Sequence, residues 1–285
     1  MLSHSIDFEA IGTKWRIEAL VPLPQTTLQR IYQRIETFDA TYSRFRADSL
    51  VSEISRKAGD YIFPDDIVPL MDVYQKLYEL TGGKVTPLIG NALERAGYDA
   101  EYSFVEREQK ALPSLVNVLK LDGPTIRTNQ PVTLDFGAAG KGYVIDIIAA
   151  ILDEEGATEY VIDGSGDLRH RGTAINRVGL EHPLRNDVVV GAIDVQNASL
   201  CASAPNRRAW GRGMHHIFDP TTLRPTNDII ATWVIAQEAL HADGLATALF
   251  FVDPKKLEND FSFQYVRMFK DASLEYSHNF TGEIF

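Results

Sequence analysis

Residues 135–142 read Asp-Phe-Gly-Ala-Ala-Gly-Lys-Gly and precede a run of apolar residues at helical spacing. Small residues let a ligand approach the backbone, and the N-terminus of the following helix presents free N–H groups. Lys141 adds a positive charge, so this segment could bind a phosphate. It is not a P-loop, because Asp135 replaces the first glycine and Gly142 replaces the final serine or threonine. The glycines equally allow a tight turn between a strand and a helix.

A second group of oxygen donors lies towards the C-terminus. Asp243 and Thr247 are four residues apart, so they share one face of a helix that we expect to start near Asp243. A carboxylate and a hydroxyl on one face could bind Mg²⁺ through hard oxygen ligands. The same spacing is typical of an aspartate that caps a helix, with a buried threonine one turn later. The spacing therefore leaves a metal site and a helix cap as alternatives.

Two adjacent histidines, His215 and His216, form a third candidate site. Neighbouring side chains on a strand point to opposite faces, so the pair cannot easily ligate one metal ion. One histidine could act as a base while the other is structural or solvated.

Two further features have simple structural interpretations. Residues 163–167, Asp-Gly-Ser-Gly-Asp, predict a turn after a buried strand, because a dinucleotide fingerprint would require glycine at Arg169. Cys201 is the only cysteine, which excludes a disulfide within the chain. No nucleophile signature surrounds it, so we expect a small buried hydrophobic residue there.

The spacing of apolar residues predicts the elements that must position these groups. Apolar and charged residues alternate over residues 14–19, which predicts a half-buried strand. A first helix should carry an apolar stripe made of Leu28, Ile31, Tyr32, Ile35 and Phe38. A second should run from about Asp66 to Leu80, with Pro69 in its first turn and an end at Gly82-Gly83.

Two more helices and three strands complete the predicted elements. The helices should begin near Lys141 and near Asp243, the second carrying Leu245, Leu249 and Phe250. Residues 160–162, 188–193 and 232–236 read as buried strands. Strands and helices alternate without a regular βαβ order. We therefore predict an α+β fold, with a mostly antiparallel sheet and packed helices, rather than a doubly wound fold.

Composition limits the domain count and the class of partner. The chain has 285 residues and no visible repeat or linker, so we expect one domain over residues 1–285. Its net charge of −11 repels phosphate backbones, so we expect no nucleic-acid partner. The N-terminus lacks a signal-peptide pattern, and no run of 18 apolar residues occurs. We therefore expect a cytoplasmic protein without membrane association.

Each signal is weak alone, but their order along residues 11–252 resembles that of the ApbE family, the FAD:protein FMN transferases. The resemblance implies an ApbE-like (T-fold-like) α+β architecture. It is carried by residues 135–142 and by six other segments: Ile11-Gly12-Thr13, Ser43-Arg44-Phe45-Arg46, Gly82-Gly83-Lys84-Val85-Thr86-Pro87, Gly164-Ser165-Gly166-Asp167, His216-Ile217-Phe218-Asp219-Pro220, and Ala242-Asp243 with Thr247.

The resemblance also implies a role for each matching residue. FAD would contact Asp135 and Lys141 together with Ile11, Phe45, Lys84, Val85, Thr86 and Ile217. Mg²⁺ would be held by Asp243, Thr247 and the backbone carbonyl of Ala138, with Ala246 as a further backbone contact. His216 would be the general base, and Asp243 is the second residue expected to be essential for catalysis. Because such a metal ligand faces the surface, we expect Asp243→Ala to spare the fold.

The chemistry implied by the family is the transfer of FMN from FAD to a Thr or Ser hydroxyl of an acceptor protein, with release of AMP. Mg²⁺ and Lys141 would neutralise the diphosphate, and His216 would accept the hydroxyl proton. The acceptor would be a flavoprotein with a motif of the Ser/Thr-Gly-Ala-Ser/Thr type. If water attacks instead, the same site is an FAD pyrophosphatase that yields FMN and AMP.

Several positions depart from the family pattern. They are Thr86 in place of aspartate, Phe45 in place of tyrosine, Ile11 in place of methionine, Gly140 in place of alanine, and Ala204 and Leu223 in place of glycine. These departures bear on flavin affinity and acceptor choice more than on metal binding, because Asp243 and Thr247 are intact. They leave a third interpretation open, a flavin-binding protein without catalytic activity.

Overall fold

The computed structural model describes residues 2–185, 187–211 and 213–285. None of the helices that these residues form is long and apolar enough to cross a membrane. The helices are α1 (Gln25–Tyr42), α2 (Leu50–Arg56), α3 (Ile67–Leu80), α4 (Gly90–Arg95), α5 (Leu115–Val118), α6 (Gly140–Glu154) and α7 (Ala239–Ala248). The strands are β1 (His4–Ala10), β2 (Thr13–Ala19), β3 (Gly59–Ile62), β4 (Leu119–Asp122), β5 (Thr125–Thr128), β6 (Tyr160–Asp163), β7 (Leu168–Arg171), β8 (Asn176–Glu181), β9 (Val189–Val195), β10 (Ser199–Ser203), β11 (Ala209–Trp210), β12 (Met214–His215), β13 (Phe218–Asp219), β14 (Arg224–Pro225), β15 (Ile229–Ala236), β16 (Phe263–Phe269), β17 (Leu274–Tyr276) and β18 (Glu283–Ile284).

An eight-stranded sheet forms the centre of the molecule, in the order β1-β2-β6-β7-β10-β15-β16-β17. Every neighbouring pair in it is antiparallel, which confirms the α+β prediction. In β2, Trp15 and Ile17 are buried while Lys14 and Arg16 are exposed, as the alternation over residues 14–19 predicts.

The central sheet is covered on both faces. Val234 of β15 belongs to the core formed with α1, α3, α6 and α7, whereas Trp233 and Ile235 face a second core. That second core is completed by a smaller antiparallel sheet in the order β18-β9-β8. Since β15 is buried on both faces, residues 233–236 form an unbroken apolar run, and the preceding Thr232 is buried as well.

The predicted helices occur, with one error in the first. In α1, Ile31, Ile35 and Phe38 are buried, but Tyr32 is 40% exposed. Tyr32 was expected on the buried stripe; instead its ring packs edge-on against the Phe8 ring, 5.3 Å away between centroids. Helix α3 ends at glycines as predicted, and the Gly83 N–H donates to the Tyr78 carbonyl at 2.7 Å.

The predicted start of the last helix near Asp243 is wrong, because α7 begins four residues earlier, at Ala239. The Asp146 carboxylate of α6 accepts hydrogen bonds from the N–H groups of Ala239 and Leu240, at 3.0 and 2.8 Å. A side chain distant in sequence thus satisfies the first turn of α7, a role usually taken by a local cap. Asp243 consequently lies inside α7, which excludes the alternative that it caps the helix.

Candidate active site

Three adjoining cavities form one cleft beside the N-terminal end of α6, since all three are lined by Tyr98, Gly137 and Arg208. We call them the small cavity (with Thr86, Ala138 and Thr247), the polar cavity (with Lys141, Asp167 and Asp243) and the aromatic cavity (with Ile11, Phe45 and Tyr42). Their volumes are ≈ 80, ≈ 470 and ≈ 310 Å³. Single ligand pockets usually measure about 300–1,000 Å³, so the cleft can take a ligand as large as a dinucleotide.

Asp135 lies where the small and aromatic cavities meet. One carboxylate oxygen accepts the Gly137 N–H at 2.7 Å, and the other accepts from Arg44 Nε at 2.5 Å. Burial by itself would raise the pKa of Asp135, but the charge and hydrogen bond of Arg44 outweigh burial and hold that pKa below its usual value. Asp135 is therefore a fixed, ionised acceptor at the edge of the cleft.

The N-terminus of α6 offers fewer free amides than the sequence suggests. The Gly140 N–H donates to the Phe136 carbonyl at 2.8 Å, and the Gly142 N–H donates to Asp243 Oδ2 at 2.8 Å. The Ala138 N–H, just before the helix, donates to Tyr74 Oη at 3.1 Å. The expected set of free N–H groups is thus largely used within the protein, and a phosphate here must bind mainly to side chains.

Gly142 brings α6 and α7 into backbone contact. A Cβ at this position would lie 2.1 Å from the Ala239 carbonyl oxygen and 2.7 Å from the Asp243 Cβ. Only glycine therefore allows the two helices to approach this closely, and the approach aligns the Gly142 N–H with the Asp243 carboxylate. Gly142 at the start of α6 thus holds the Asp243 side chain of α7 in position.

Hard oxygen donors for a cation lie along this helix pair. Asp243 is 4% exposed, and the described residues give Oδ2 its hydrogen bond from Gly142 but give none to Oδ1. Burial raises the pKa of Asp243, and the charge of Lys141 only partly offsets that rise. The Thr247 hydroxyl lies 3.5 Å from the Ala138 carbonyl oxygen, close enough for one ion to contact both. A carboxylate, a hydroxyl and a carbonyl fit the ligand preference of Mg²⁺.

Ala246 has a different position. It is fully buried, it does not line any of the three cavities, and its carbonyl accepts a hydrogen bond from Thr232 Oγ1 at 2.7 Å. Among the residues predicted to hold the metal, it is the one that the cleft does not reach.

Lys141 lines the polar and aromatic cavities and pairs with Asp167. The turn at residues 163–167 positions that partner: the Gly166 N–H donates to Asp163 Oδ1 at 2.8 Å, and Asp167 is 1% exposed. The second Asp167 oxygen accepts the Ala202 N–H at 2.8 Å. Burial lowers the pKa of Lys141. The predicted turn is present, and it also anchors the lysine.

The two histidines differ as expected. The His215 imidazole is buried, its Nε2 lying 2.7 Å from the Thr226 carbonyl oxygen. His216 lines the small and polar cavities, and its Nδ1 lies 3.4 Å from the Arg208 carbonyl oxygen. Burial, with the positive charge of Arg208 as the next contribution, lowers the pKa of His216 to about 3. His216 is therefore neutral at physiological pH.

Residues 84–86 and Ile217 line the small cavity. Lys84 Nζ donates to Asp219 Oδ2 at 2.9 Å, which links the segment after α3 to β13. Thr86 is buried, and its hydroxyl accepts the Leu88 N–H at 3.2 Å, so it caps the short turn that follows. Val85 and Ile217 are buried and give the cavity its apolar side.

The aromatic cavity is lined by stacked rings. The Phe45 ring stacks on Tyr102 with centroids 5.5 Å apart and planes 8° apart. The Arg44 guanidinium also lies over the Phe45 ring, 4.1 Å from its centroid. Ile11 lines the same cavity with a positive φ of 51°, just before Gly12. Planar faces of this kind suit an aromatic ligand ring.

The comparisons with known proteins agree with this geometry. The sequence model of the ApbE family matches residues 11–262. The chain belongs to the ApbE family. It is 22% identical over 278 residues to the FAD:protein FMN transferase of Klebsiella pneumoniae strain 342, covering 89% of this chain and 79% of that protein. It is 21% identical over 276 residues to the Escherichia coli K12 protein of the same name, covering 88% and 79%.

Solved ApbE structures share the fold. The ApbE protein of Thermotoga maritima superposes with a TM-score of 0.83 at 22% identity, over 96% of this chain and 97% of that one. The flavin transferase ApbE of Vibrio cholerae superposes with a TM-score of 0.77 at 19% identity, over 96% of each chain. These likenesses confirm the predicted ApbE-like α+β architecture.

Several cleft residues of this ApbE protein were missed by sequence reasoning. Arg208 lines all three cavities, Tyr98 does so too, and Tyr102 lines two of them. Their segments match none of the motifs that predicted the other site residues, so a cluster of aromatic and basic residues is the signal that could have drawn attention to them. Arg44 was noted only as part of a motif, although it pairs with Asp135. Cys201 is fully buried, as predicted, and burial raises the pKa of its thiol.

Proposed function

We propose that this ApbE protein is an FAD:protein FMN transferase that moves FMN from FAD to a Thr or Ser hydroxyl of an acceptor protein and releases AMP. The observation that carries the proposal is the convergence of three chemistries on one cleft. Oxygen donors from Asp243 and Thr247, the Lys141 ammonium and the neutral His216 imidazole all line it. The names of the curated relatives support the same activity.

The cleft offers FAD distinct surroundings for its chemically distinct parts. The aromatic cavity provides the flat faces of Phe45 and Tyr102. The polar cavity provides Lys141 and the Asp243 carboxylate, which suit a diphosphate and its counterion. We propose that Ile11, Phe45, residues 84–86, Asp135, Lys141 and Ile217 contact the dinucleotide.

Mg²⁺ would be held by Asp243, Thr247 and the Ala138 carbonyl, and it would supply charge neutralisation at the diphosphate. Ala246 is the least suited of the predicted ligands, because its buried carbonyl already accepts from Thr232. The Gly142 N–H donates to Oδ2 of Asp243 and so holds the carboxylate in place, while Oδ1 remains available to a metal ion.

In the transfer step, one phosphorus–oxygen bond forms and another breaks, and two cleft side chains assist. The acceptor hydroxyl oxygen forms a bond to the flavin-side phosphorus, and the bond from that phosphorus to the oxygen shared with AMP breaks. The hydroxyl proton passes to the neutral His216 imidazole, which lines the small and polar cavities. Lys141 stabilises the charge that develops on the departing AMP phosphate.

The deciding experiment measures AMP release from FAD by the purified protein. It is run with and without Mg²⁺, and with and without an acceptor peptide of the Ser/Thr-Gly-Ala-Ser/Thr type. We expect AMP and flavinylated peptide only when both are present. AMP without peptide would instead favour an FAD pyrophosphatase, and bound flavin without AMP in any condition would favour a non-catalytic flavin-binding protein.

His216→Ala tests the proton acceptor within the same assay. We expect transfer to slow about 100-fold or more while FAD affinity stays within about twofold. His278→Ala is the matched control, because His278 is exposed and does not line the cleft. An equal loss of FAD affinity in His216→Ala would make His216 a binding residue and overturn its role as a base.

A further inference from the structure

The charged groups of the cleft are paired with one another, with two exceptions. Among the described residues, six cationic side chains line the three cavities. Five of them form ion pairs: Lys84 with Asp219, Lys141 with Asp167, Arg44 with Asp135, Arg46 with Asp39, and Arg207 with Glu181. The sixth is Arg208, whose guanidinium has no carboxylate partner among the described residues. The charge of Arg208 is therefore available to a ligand.

The carboxylates of the cleft show the complementary pattern. Asp39, Asp135 and Asp167 are each paired with a cation, whereas Asp243 accepts only a backbone N–H from the described residues. The cleft thus holds one cation and one anion that the surrounding chain leaves unpaired. A ligand that carries both an anion and a bound metal cation would satisfy both groups at once.

The position of Arg208 fits a ligand that extends through the whole cleft. It is the last residue of the 3₁₀ turn Pro205–Arg208, and its side chain is exposed where the three cavities meet. Its backbone carbonyl accepts the His216 N–H at 3.3 Å, which fixes the turn beside the proposed base. A diphosphate links the two halves of a dinucleotide, so it belongs at such a junction.

We infer that Arg208 binds the diphosphate of FAD, an inference that rests on the proposed function. A guanidinium presents a planar set of N–H donors that can bind two phosphate oxygens together. Lys141 remains in contact with the same ligand but shares its charge with the buried Asp167. Arg208 is accordingly the main cationic contact of the diphosphate, and Lys141 is the secondary one.

The test is the affinity of the protein for FAD, ADP and riboflavin in metal-free buffer without acceptor, measured by calorimetry. We expect Arg208→Gln to weaken FAD and ADP binding about 10- to 100-fold and to leave riboflavin binding unchanged, because riboflavin has no phosphate. Arg208→Lys keeps the charge without the paired donors and should give an intermediate loss. Arg207→Gln is the comparison, because it removes an adjacent arginine that also lines the polar cavity but pairs with Glu181, so it should lose less affinity than Arg208→Gln.

The outcomes separate this inference from the proposed function. If Arg208→Gln and Arg207→Gln bind FAD and ADP as the unmodified protein does, the inference is overturned while the transferase proposal stands. The same holds if Arg208→Gln changes only the KM for the acceptor peptide. If the unmodified protein binds neither FAD nor ADP, with or without Mg²⁺, the proposed function fails and the inference fails with it.

Discussion

The cleft has a floor and a wall that are built in different ways. We define the floor as residues 135–142 with α7, and the wall as residues 98–104 and 203–211. In the floor, Asp243 is 4% exposed and Gly142 leaves no room for a Cβ beside Ala239. In the wall, Tyr102 and Phe104 are each 49% exposed and both have positive φ angles.

Substitutions in these two regions should therefore have different effects on stability and on ligand affinity. Floor groups are positioned by close backbone contacts between helices, so replacing them should change the free energy of unfolding as well as activity. In the wall, Tyr102 and Phe104 are largely exposed, so replacing either should change ligand affinity with little effect on stability. The following four predictions test this contrast.

The largest effect is expected for Gly142→Ala in the floor. The new Cβ would lie 2.1 Å from the Ala239 carbonyl oxygen, which is backbone and cannot move without separating α6 from α7. We expect a loss of about 3 kcal/mol in the free energy of unfolding, measured by urea denaturation. Gly140→Ala is the control, since its Cβ would meet nothing closer than 3.7 Å, and it should stay within about 1 kcal/mol. Equal midpoints for the two variants would contradict the close-packed floor.

Two substitutions of Asp243 distinguish the effect of its charge on activity from the effect of its hydrogen bond on stability. Asp243→Asn keeps an acceptor for the Gly142 N–H and removes the charge, so we expect Mg²⁺-dependent AMP release to fall about 100-fold or more with stability nearly unchanged. Asp243→Ala should in addition cost about 1–3 kcal/mol, because the buried Gly142 N–H loses its partner. This differs from the expectation based on sequence, which placed Asp243 at the surface.

Activity assays over a Mg²⁺ titration, together with thermal unfolding, distinguish these two Asp243 variants. Asp228→Asn is the control, because Asp228 is exposed and pairs only with Lys270. If Asp243→Asn retained full activity, the metal assignment would be wrong. If Asp243→Ala were as stable as Asp243→Asn, the hydrogen bond from Gly142 would not contribute to stability.

A smaller effect is expected in the wall for Tyr102→Ala. The variant loses the ring that stacks on Phe45 at 5.5 Å, so FAD affinity should fall about 3- to 10-fold with the free energy of unfolding little changed. Flavin fluorescence titration measures the affinity. Tyr276→Ala removes a tyrosine of similar exposure, 53%, far from the cleft, and should leave affinity unchanged. A large loss of stability in Tyr102→Ala would remove the distinction between wall and floor.

His216 links the two regions, because it lies next to the wall, is partly exposed, and lines the small and polar cavities. Since burial and then Arg208 lower its pKa to about 3, its imidazole signals in NMR spectra should not titrate between pH 8 and pH 5. The unfolded chain would protonate near 6.5, so the contribution of neutral His216 to stability is complete above that pH and decreases as the pH falls towards 3. Spectra of His216→Gln assign the signals, and a transition near pH 6.5 would contradict the lowered pKa of His216.

The sequence by itself determined the family and those elements that have a clear apolar period. Alternation in β2 and the stripe of α3 are local patterns that any fold must satisfy, and the order of short motifs identified ApbE without a structure. The same local patterns did not predict which residues at the edge of an apolar stripe are exposed. Tyr32 follows Ile31 on the apolar side of α1, and the periodicity does not reveal where the buried stripe ends.

Only the tertiary structure decided how the site residues are paired. Arg44 meets Asp135 across 91 positions, Gly142 meets Asp243 across 101, and Asp146 sets the start of α7 from 93 positions away. Such partners are chosen by packing between helices and sheet, for which a local pattern has no signal. The availability of Arg208 follows from the same cause, because the fold pairs the other described cations of the cleft with carboxylates and leaves Arg208 without one.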